Sequence, residues 1–111
     1  MGVDVVLYRA VSVGTGRRRH VPMELLPDPD DALLDLVRRV RGTGRTPVLD
    51  QVDPVGLLVV PADWADSLLA ELDRLAEAAR GPAELAHVHR LEGLVHRLRA
   101  DREMELRFEG D

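Results

Sequence analysis

Residues 61–101 carry apolar side chains at helical spacing, and Gly81-Pro82 interrupts this pattern once. The first segment opens at Pro61-Ala62-Asp63, and the second runs to about Asp101. Apolar residues recur three and four positions apart, at Ala65, Leu68, Leu69, Leu72, Leu75, Ala76 and Ala79 in the first segment and at Leu85, Val88, Leu91, Leu94, Val95 and Leu98 in the second. The pattern predicts two amphipathic helices. Because their joint is so short, we expect the helices to be antiparallel neighbours or to cross steeply.

A shorter helix is predicted earlier in the chain, at about residues 29–41. Asp28 suits the N-cap, Pro29 suits the first helical position, and two acids follow where the helix dipole favours negative charge. Gly42 ends the helix. Its apolar positions are Leu33, Leu36, Val37 and Val40.

Strands are predicted at both ends of the chain. Val3–Val13 is rich in β-branched residues, which are typical of strands. After the glycine turn at 14–16, Arg17–Met23 is either a strand that pairs back as a hairpin or a loop. Met104–Phe108 alternates between apolar and charged residues, so we expect its first, third and fifth side chains to point inward.

Two short apolar runs in the middle of the chain predict a hairpin. Thr46–Val52 and Gly56–Val60 lie on either side of Asp53-Pro54-Val55. The second run is almost entirely apolar, as expected of a strand that is buried on both faces.

This order of elements, β(β)αββααβ, predicts an α+β fold. At 111 residues the chain suits a single domain, residues 1–111. We expect a mixed or antiparallel sheet of four or five strands with about three helices packed on one face. Three helices cannot cover both faces of such a sheet well, so one face is expected to stay partly open.

Composition and charge narrow the classes of function. The formal net charge of −5 disfavours nucleic-acid binding, because phosphate neutralisation needs a basic excess. The absence of cysteine excludes disulfides, thiol catalysis and cysteine metal sites. No apolar run approaches the roughly 20 residues of a membrane span, and no signal peptide is recognisable, so a cytoplasmic location is expected and a membrane role is not.

All fifteen cationic side chains are arginine, and lysine, isoleucine and asparagine are absent. The codons of these three missing residues are rich in A and T, so the composition indicates a GC-rich genome, most simply that of a high-GC bacterium. Many of the arginines have a local explanation: Arg74 follows Glu71 at i+3, and Arg38 and Arg39 complement a helix dipole.

Arg17, Arg18, Arg19 and His20 form the densest positive cluster, and no acid lies near them in sequence. Guanidinium groups beside a glycine turn could bind phosphate or dock an acidic protein surface. The alternative is an exposed hairpin tip with solvated charges. No P-loop motif is present.

His89, Glu92 and His96 form a candidate metal site on the last predicted helix, because their spacing places them on one face. The two histidines are seven positions apart, or about 10 Å along the helix axis, which is wide for a single ion. The alternative is a solvated face on which Glu92 pairs with one of the histidines.

His87 projects onto the apolar side of the same helix. It is either a buried general base or ligand, or a partly buried histidine bonded to a carbonyl or carboxylate. If it is buried in its neutral form, acid should destabilise the protein.

Trp64 is the only tryptophan and lies at the start of a predicted helix, where it either packs against a strand or anchors an interface. The sequence contains no recognisable catalytic constellation and no cofactor-binding motif. The sequence therefore favours a non-enzymatic, cytosolic protein-interaction domain of the immunity or adaptor type, with another protein as partner and homodimerisation as a further expectation. The alternative is a small metal- or anion-binding enzyme that uses the histidine helix or the arginine loop.

Overall fold

The two longest strands form a hairpin at one side of an antiparallel sheet. The computed structural model describes residues 2–14 and 16–110, without the side chain of Pro29. Within this range the sheet has four strands in the order β2-β1-β4-β3. Their bounds are β1 (Val3–Val13), β2 (Arg17–Leu26), β3 (Leu57–Pro61) and β4 (Met104–Gly110). The prediction left open for residues 17–23 is thus resolved as a strand, which continues to Leu26.

Three helices pack together on one face of the sheet: α1 (Ala32–Val40), α2 (Ala65–Ala78) and α3 (Pro82–Ala100). Helix α3 packs against β1, β2 and β4, and the other two helices pack against α3 and against each other. The predicted α+β class and the predicted helix pair around Gly81-Pro82 are confirmed. Gly81 has φ +92°, a left-handed value that suits glycine at this tight joint.

The core is aliphatic apart from Phe108. On the helix side of the sheet, Val5, Phe108 and Leu58 lie side by side in register, as do Leu7, Leu106 and Val60. These side chains are all at least nine-tenths buried. The alternation predicted for β4 is therefore confirmed, with Leu106 and Phe108 buried and Met104 half-buried at the start of the strand.

The strand predicted at Thr46–Val52 is wrong. This segment is a turn that contains one 3-10 helix, Leu49–Gln51, and it pairs with none of the strands in the described part of the chain. Val48, Leu49 and Val52 are buried, and the backbone amides of Val48 and Leu49 donate to the carboxylate of Glu71 on α2, at 3.1 and 2.9 Å. A short apolar run identifies a buried segment without deciding its backbone conformation, and here a long-range carboxylate determines it.

Two further expectations need correction. β3 is buried on one face only, because Leu57 and Val59 are 58% and 39% exposed while Leu58 and Val60 are buried. Helix α1 begins at Ala32 rather than at residue 29, after a 3-10 turn in which Asp30 and Asp31 adopt left-handed backbone conformations. Asp28 nevertheless caps the helix from within the core, since its carboxylate accepts hydrogen bonds from the amides of Leu33 and Leu34.

Candidate interaction surface

The hairpin of β1 and β2 projects beyond the rest of the sheet. β4 begins at Met104, opposite Arg9, so β1 pairs only with β2 from Val11 onward. We call this ribbon, residues 11–14 and 16–20, the arm. All of its described residues are exposed except Val11, which is half-buried. Gly14 and Gly16 have φ values of +63° and +76°, which is why glycine occupies this turn.

The three consecutive arginines do not form one patch on the arm. Side chains alternate between the faces of a strand, so Arg17 and Arg19 lie on one face beside their register partners Val13 and Val11. Arg18 lies on the opposite face, beside Ser12. Within residues 2–14 and 16–110, no carboxylate lies within ion-pair distance of Arg17 or Arg19. Val13 beside them is 48% exposed, so this face of the arm combines two free cations with apolar surface.

The cations on the other face of the arm are already paired. Arg18 forms an ion pair with Glu103, in the turn before β4. His20 Nε2 lies 3.0 Å from Glu105 Oε1 on β4. The sequence could not show these acids, which are more than eighty positions away in the chain.

A charged network continues from His20 across the open face of the sheet. The Arg107 Nε donates to Glu105 Oε2 at 2.6 Å, and its guanidinium lies 4.2 Å from the centroid of the Tyr8 ring. The Tyr8 hydroxyl donates to Glu109 at 3.0 Å. Burial and this hydrogen bond to Glu109 raise the pKa of Tyr8 above its usual value. The network satisfies its own charges, so its role on this face is to order the side chains of the central strands.

A cleft of about 320 Å³ lies at the root of the arm. Arg18, His20 and Arg102 supply its basic groups, and Asp63, Glu103 and Glu105 supply its acids; Ala10, Pro61, Ala62 and Met104 complete the lining. A phosphate in this cleft would meet as many carboxylates as cations. The geometry therefore does not favour the phosphate-binding interpretation of the arginine loop.

Trp64 does not line the cleft, although the residue before it, Asp63, does. It ends the 3-10 turn Ala62–Trp64 that connects β3 to α2, and it is 41% exposed. Both sequence interpretations of Trp64, packing against a strand and anchoring an interface, stay predictions. Its position at the end of an edge strand leaves the role of interface anchor as a prediction.

The candidate metal ligands lie along the outer side of α3. His89 and His96 are exposed and Glu92 is half-buried. In the part of the chain that the structure describes, no three His, Asp or Glu side chains are arranged to hold a metal ion, and no ion pair joins Glu92 to either histidine. The helix places the three residues on one side without bringing them together.

His87 is buried, with only 5% of its side chain exposed. Its Nε2 has no hydrogen-bond partner among the residues that the structure describes, and it lies 4.0 Å from Oδ1 of Asp28, whose side chain is fully buried. Burial lowers the pKa of His87 below its usual value, although the Asp28 charge opposes this shift. The ring also lines a cleft of about 300 Å³ beside Asp35, Glu84 and Arg90. His87 is thus buried, but in the described part of the chain its Nε2 is bonded to no carbonyl or carboxylate, so both a buried general base and a bonded, partly buried histidine stay predictions.

Two features of the surface could have been found from the sequence. Strict alternation along β1 and β2 would have separated Arg18 from Arg17 and Arg19. If the hairpin is assumed, the same alternation also places Val11 and Val13 beside Arg17 and Arg19. The acids that neutralise Arg18 and His20 required the sheet order, which no local pattern provides.

In comparisons with known proteins, no family model matches this chain, and no curated protein or solved structure matches it either. Among the residues that the structure describes, no helix is both long enough and apolar enough to cross a bilayer.

Proposed function

We propose that this chain is a small, non-enzymatic protein-interaction domain of the immunity or adaptor type, acting in the cytoplasm of a high-GC bacterium. In this proposal the arm is its docking element. The partner is an acidic protein surface that receives the face carrying Val11, Val13, Arg17 and Arg19.

The observation that carries this proposal is the pair of unneutralised arginines on a projecting ribbon. Arg9, Arg18, Arg39, Arg74, Arg97, Arg99 and Arg107 each pair with a carboxylate. Among residues 2–14 and 16–110, Arg17 and Arg19 have no carboxylate within ion-pair distance, although the chain as a whole carries a formal charge of −5. Six other arginines also lack an ion pair there, but they lie on the helices and loops of the body rather than on a projecting ribbon: Arg38, Arg41, Arg45, Arg80, Arg90 and Arg102. Positive charge is thus separated from the acidic body and placed where a second molecule can reach it.

The arm suits protein recognition in two ways. Arginine forms bidentate hydrogen bonds with carboxylates and is enriched in interfaces. Val13 supplies apolar area beside Arg17, on the face that Arg19 shares, and a partner can cover this area when it pairs with the two cations. Charge complementarity of this kind increases the association rate and the specificity more than it increases the final affinity.

Affinity capture from the native cell extract tests the proposal. The immobilised chain should retain a protein with an acidic surface, and this capture should weaken as salt is raised. The double variant Arg17→Glu/Arg19→Glu should lose it. Arg38→Glu/Arg45→Glu is the matched control, because it reverses two exposed charges away from the arm, and it should capture as the unmodified chain does. The proposal fails if the arm variant and the control retain the same proteins.

A further inference from the structure

β3 is an edge strand that leaves one side of its backbone open. Within residues 2–14 and 16–110 it pairs with β4 and with no other strand. The amide of Gly110 donates to the carbonyl of Gly56 at 2.8 Å. This bond shows which residues of β3 form the hydrogen-bonded pairs with β4. Because hydrogen-bonded and non-bonded pairs alternate in an antiparallel ladder, the N–H and C=O groups of Leu57 and Val59 point away from β4.

The two edges of the sheet differ in how they are protected. β2 carries Arg17, Arg18 and Arg19, and Pro22 and a bulge lie farther along it. Charges, proline and bulges are the usual means of preventing edge-to-edge pairing. β3, with the sequence Leu-Leu-Val-Val-Pro, has no charged residue and no bulge. Its only protection is its short length and the proline at its end.

We propose that β3 pairs antiparallel with β3 of a second copy of this chain, around a two-fold axis at Val59. The result is a continuous eight-stranded sheet. In this register the N–H of each Val59 donates to the carbonyl of the other Val59. Each Leu57 N–H donates to the carbonyl of Pro61 in the second copy. Pro61 has no N–H to return this bond, so the pairing has four backbone hydrogen bonds and the carbonyl of each Leu57 is left to water.

The side chains support the same register. Leu57 and Val59 point to the open face and are 58% and 39% exposed, and Val55 before them is 66% exposed. Across the two-fold axis, the two valines become direct neighbours and each leucine contacts the proline of the other copy. Apolar and β-branched pairs of this kind stabilise antiparallel strands.

The distribution of charge favours a second copy as the occupant of this edge. Since β3 is uncharged, two copies meet at their centre without like charges in contact, despite their acidic net charge. Asp53 and Asp63 lie outside β3, in the segments before and after it, so neither is a register partner of Leu57 or Val59 in this pairing. The arm remains free at the far edge of each sheet, so this inference does not depend on the proposed docking of the arm.

Sedimentation velocity over a range of protein concentrations tests the dimer. A four-bond strand pairing lies at the small end of specific interfaces, so we expect a Kd of about 10–100 µM. Val59→Arg and Val59→Glu should each be monomeric, because each places like charges opposite each other at the axis. An equimolar mixture of the two variants should restore a dimer. Leu85→Arg, which changes an exposed leucine on α3, is the matched control and should dimerise as the unmodified chain does.

Hydrogen exchange provides a readout that needs no variant. The amides of Leu57 and Val59 should exchange more slowly as the concentration of the chain rises, whereas the amide of Arg18 on the other edge should not. A chain that stays monomeric, a mixture that does not associate, or exchange at Leu57 and Val59 that is independent of concentration would overturn the proposal. Slow exchange at these amides only when another protein is added would instead assign the edge to a foreign strand.

Discussion

The buried carboxylate of Asp28 joins three parts of the chain. It accepts hydrogen bonds from the amide of Val3 on β1 at 3.0 Å and from the amides of Leu33 and Leu34 at 2.7 and 3.3 Å. The sequence predicts correctly that Asp28 caps this helix but misplaces it, because the N-cap in the structure is Asp31 and Asp28 accepts from the helix amides three positions before it. The bond to β1 was not predictable, since it spans 25 positions and depends on the tertiary fold.

Asp28→Ala should destabilise the protein strongly. It removes a charged acceptor and leaves three amides without it, so we expect a loss of about 2–4 kcal/mol in the free energy of unfolding. Asp73→Ala, at an exposed position of α2, should change it by no more than about 0.5 kcal/mol. Urea denaturation at neutral pH measures both. Equal effects of the two substitutions would contradict the role assigned to Asp28.

His87 should make the protein sensitive to acid. Because burial lowers its folded-state pKa, the unfolded chain binds the proton more readily as the pH falls below about 6.5. The stability that depends on neutral His87 is therefore complete above that pH and is lost as the pH falls toward the folded-state pKa. The slope contributed by this one group cannot exceed about 1.4 kcal/mol per pH unit.

The comparison of His87→Leu with the unmodified chain isolates this effect. Denaturation at pH 7, 6 and 5 should show a smaller loss of stability in the variant. His96→Gln, which changes an exposed histidine of the same helix, should keep the full pH dependence. If His87→Leu loses stability with the same slope as the unmodified chain, His87 is not the group responsible.

At the scale of elements, helices were easier to predict than strands. The helix pair around Gly81-Pro82 follows from periodicity and punctuation that are both local. The conformation of Thr46–Val52 does not follow from a local pattern, because it depends on Glu71. The sequence pattern assigns Glu71 to an exposed pair with Arg74. In the structure Glu71 is buried and Arg74 instead pairs with Glu77 at 3.4 Å. The side chain of Glu71 thus points toward the distant turn at residues 46–52 and not toward Arg74.

A bidentate ion pair holds α1 to the joint between α2 and α3. Arg39 donates to the two carboxylate oxygens of Glu84 at 2.6 and 2.8 Å, and to the carbonyl of Ala78 at 3.1 Å. The hydrogen bond from Arg39, followed by the one from the amide of Arg80, lowers the pKa of Glu84 to about 2. This pair links elements that are distant in sequence.

Glu84→Gln should lower the melting temperature at neutral pH. Because the folded-state pKa is depressed, the contribution of Glu84 is complete above about pH 4.5 and is lost as the pH falls toward 2. The difference in melting temperature between variant and parent should shrink over the same interval. Glu77→Gln, in the exposed i+3 pair, should have little effect at any pH. A difference that persists unchanged at pH 2 would argue against the ion pair.

At the scale of the whole molecule, the fold class followed from the order of elements, while the surface required the sheet order. One apolar core lies between the helices and one face of the sheet, as expected from four strands and three helices. The sequence alone could not show that Arg18 meets Glu103 or that β3 lies at an edge. Both facts follow from the placement of β4 between β1 and β3.

A zinc titration distinguishes the proposed interaction domain from the metal-binding alternative. His89, Glu92 and His96 are not brought together, so excess Zn²⁺ should leave the melting temperature unchanged. A ligand that binds only the folded state would raise it. A rise that disappears in His96→Ala would support the metal-binding alternative.

Site-specific photo-crosslinking tests the central claim most directly. A photoreactive residue in place of Val13, on the arm, is compared in the native cell extract with one in place of Leu85, on α3. We predict that the Val13 probe crosslinks to a protein with an acidic surface and that Arg17→Glu/Arg19→Glu in the same chain abolishes the product. Equal products from both positions, or a Val13 product that survives the charge reversal, would contradict docking through the arm.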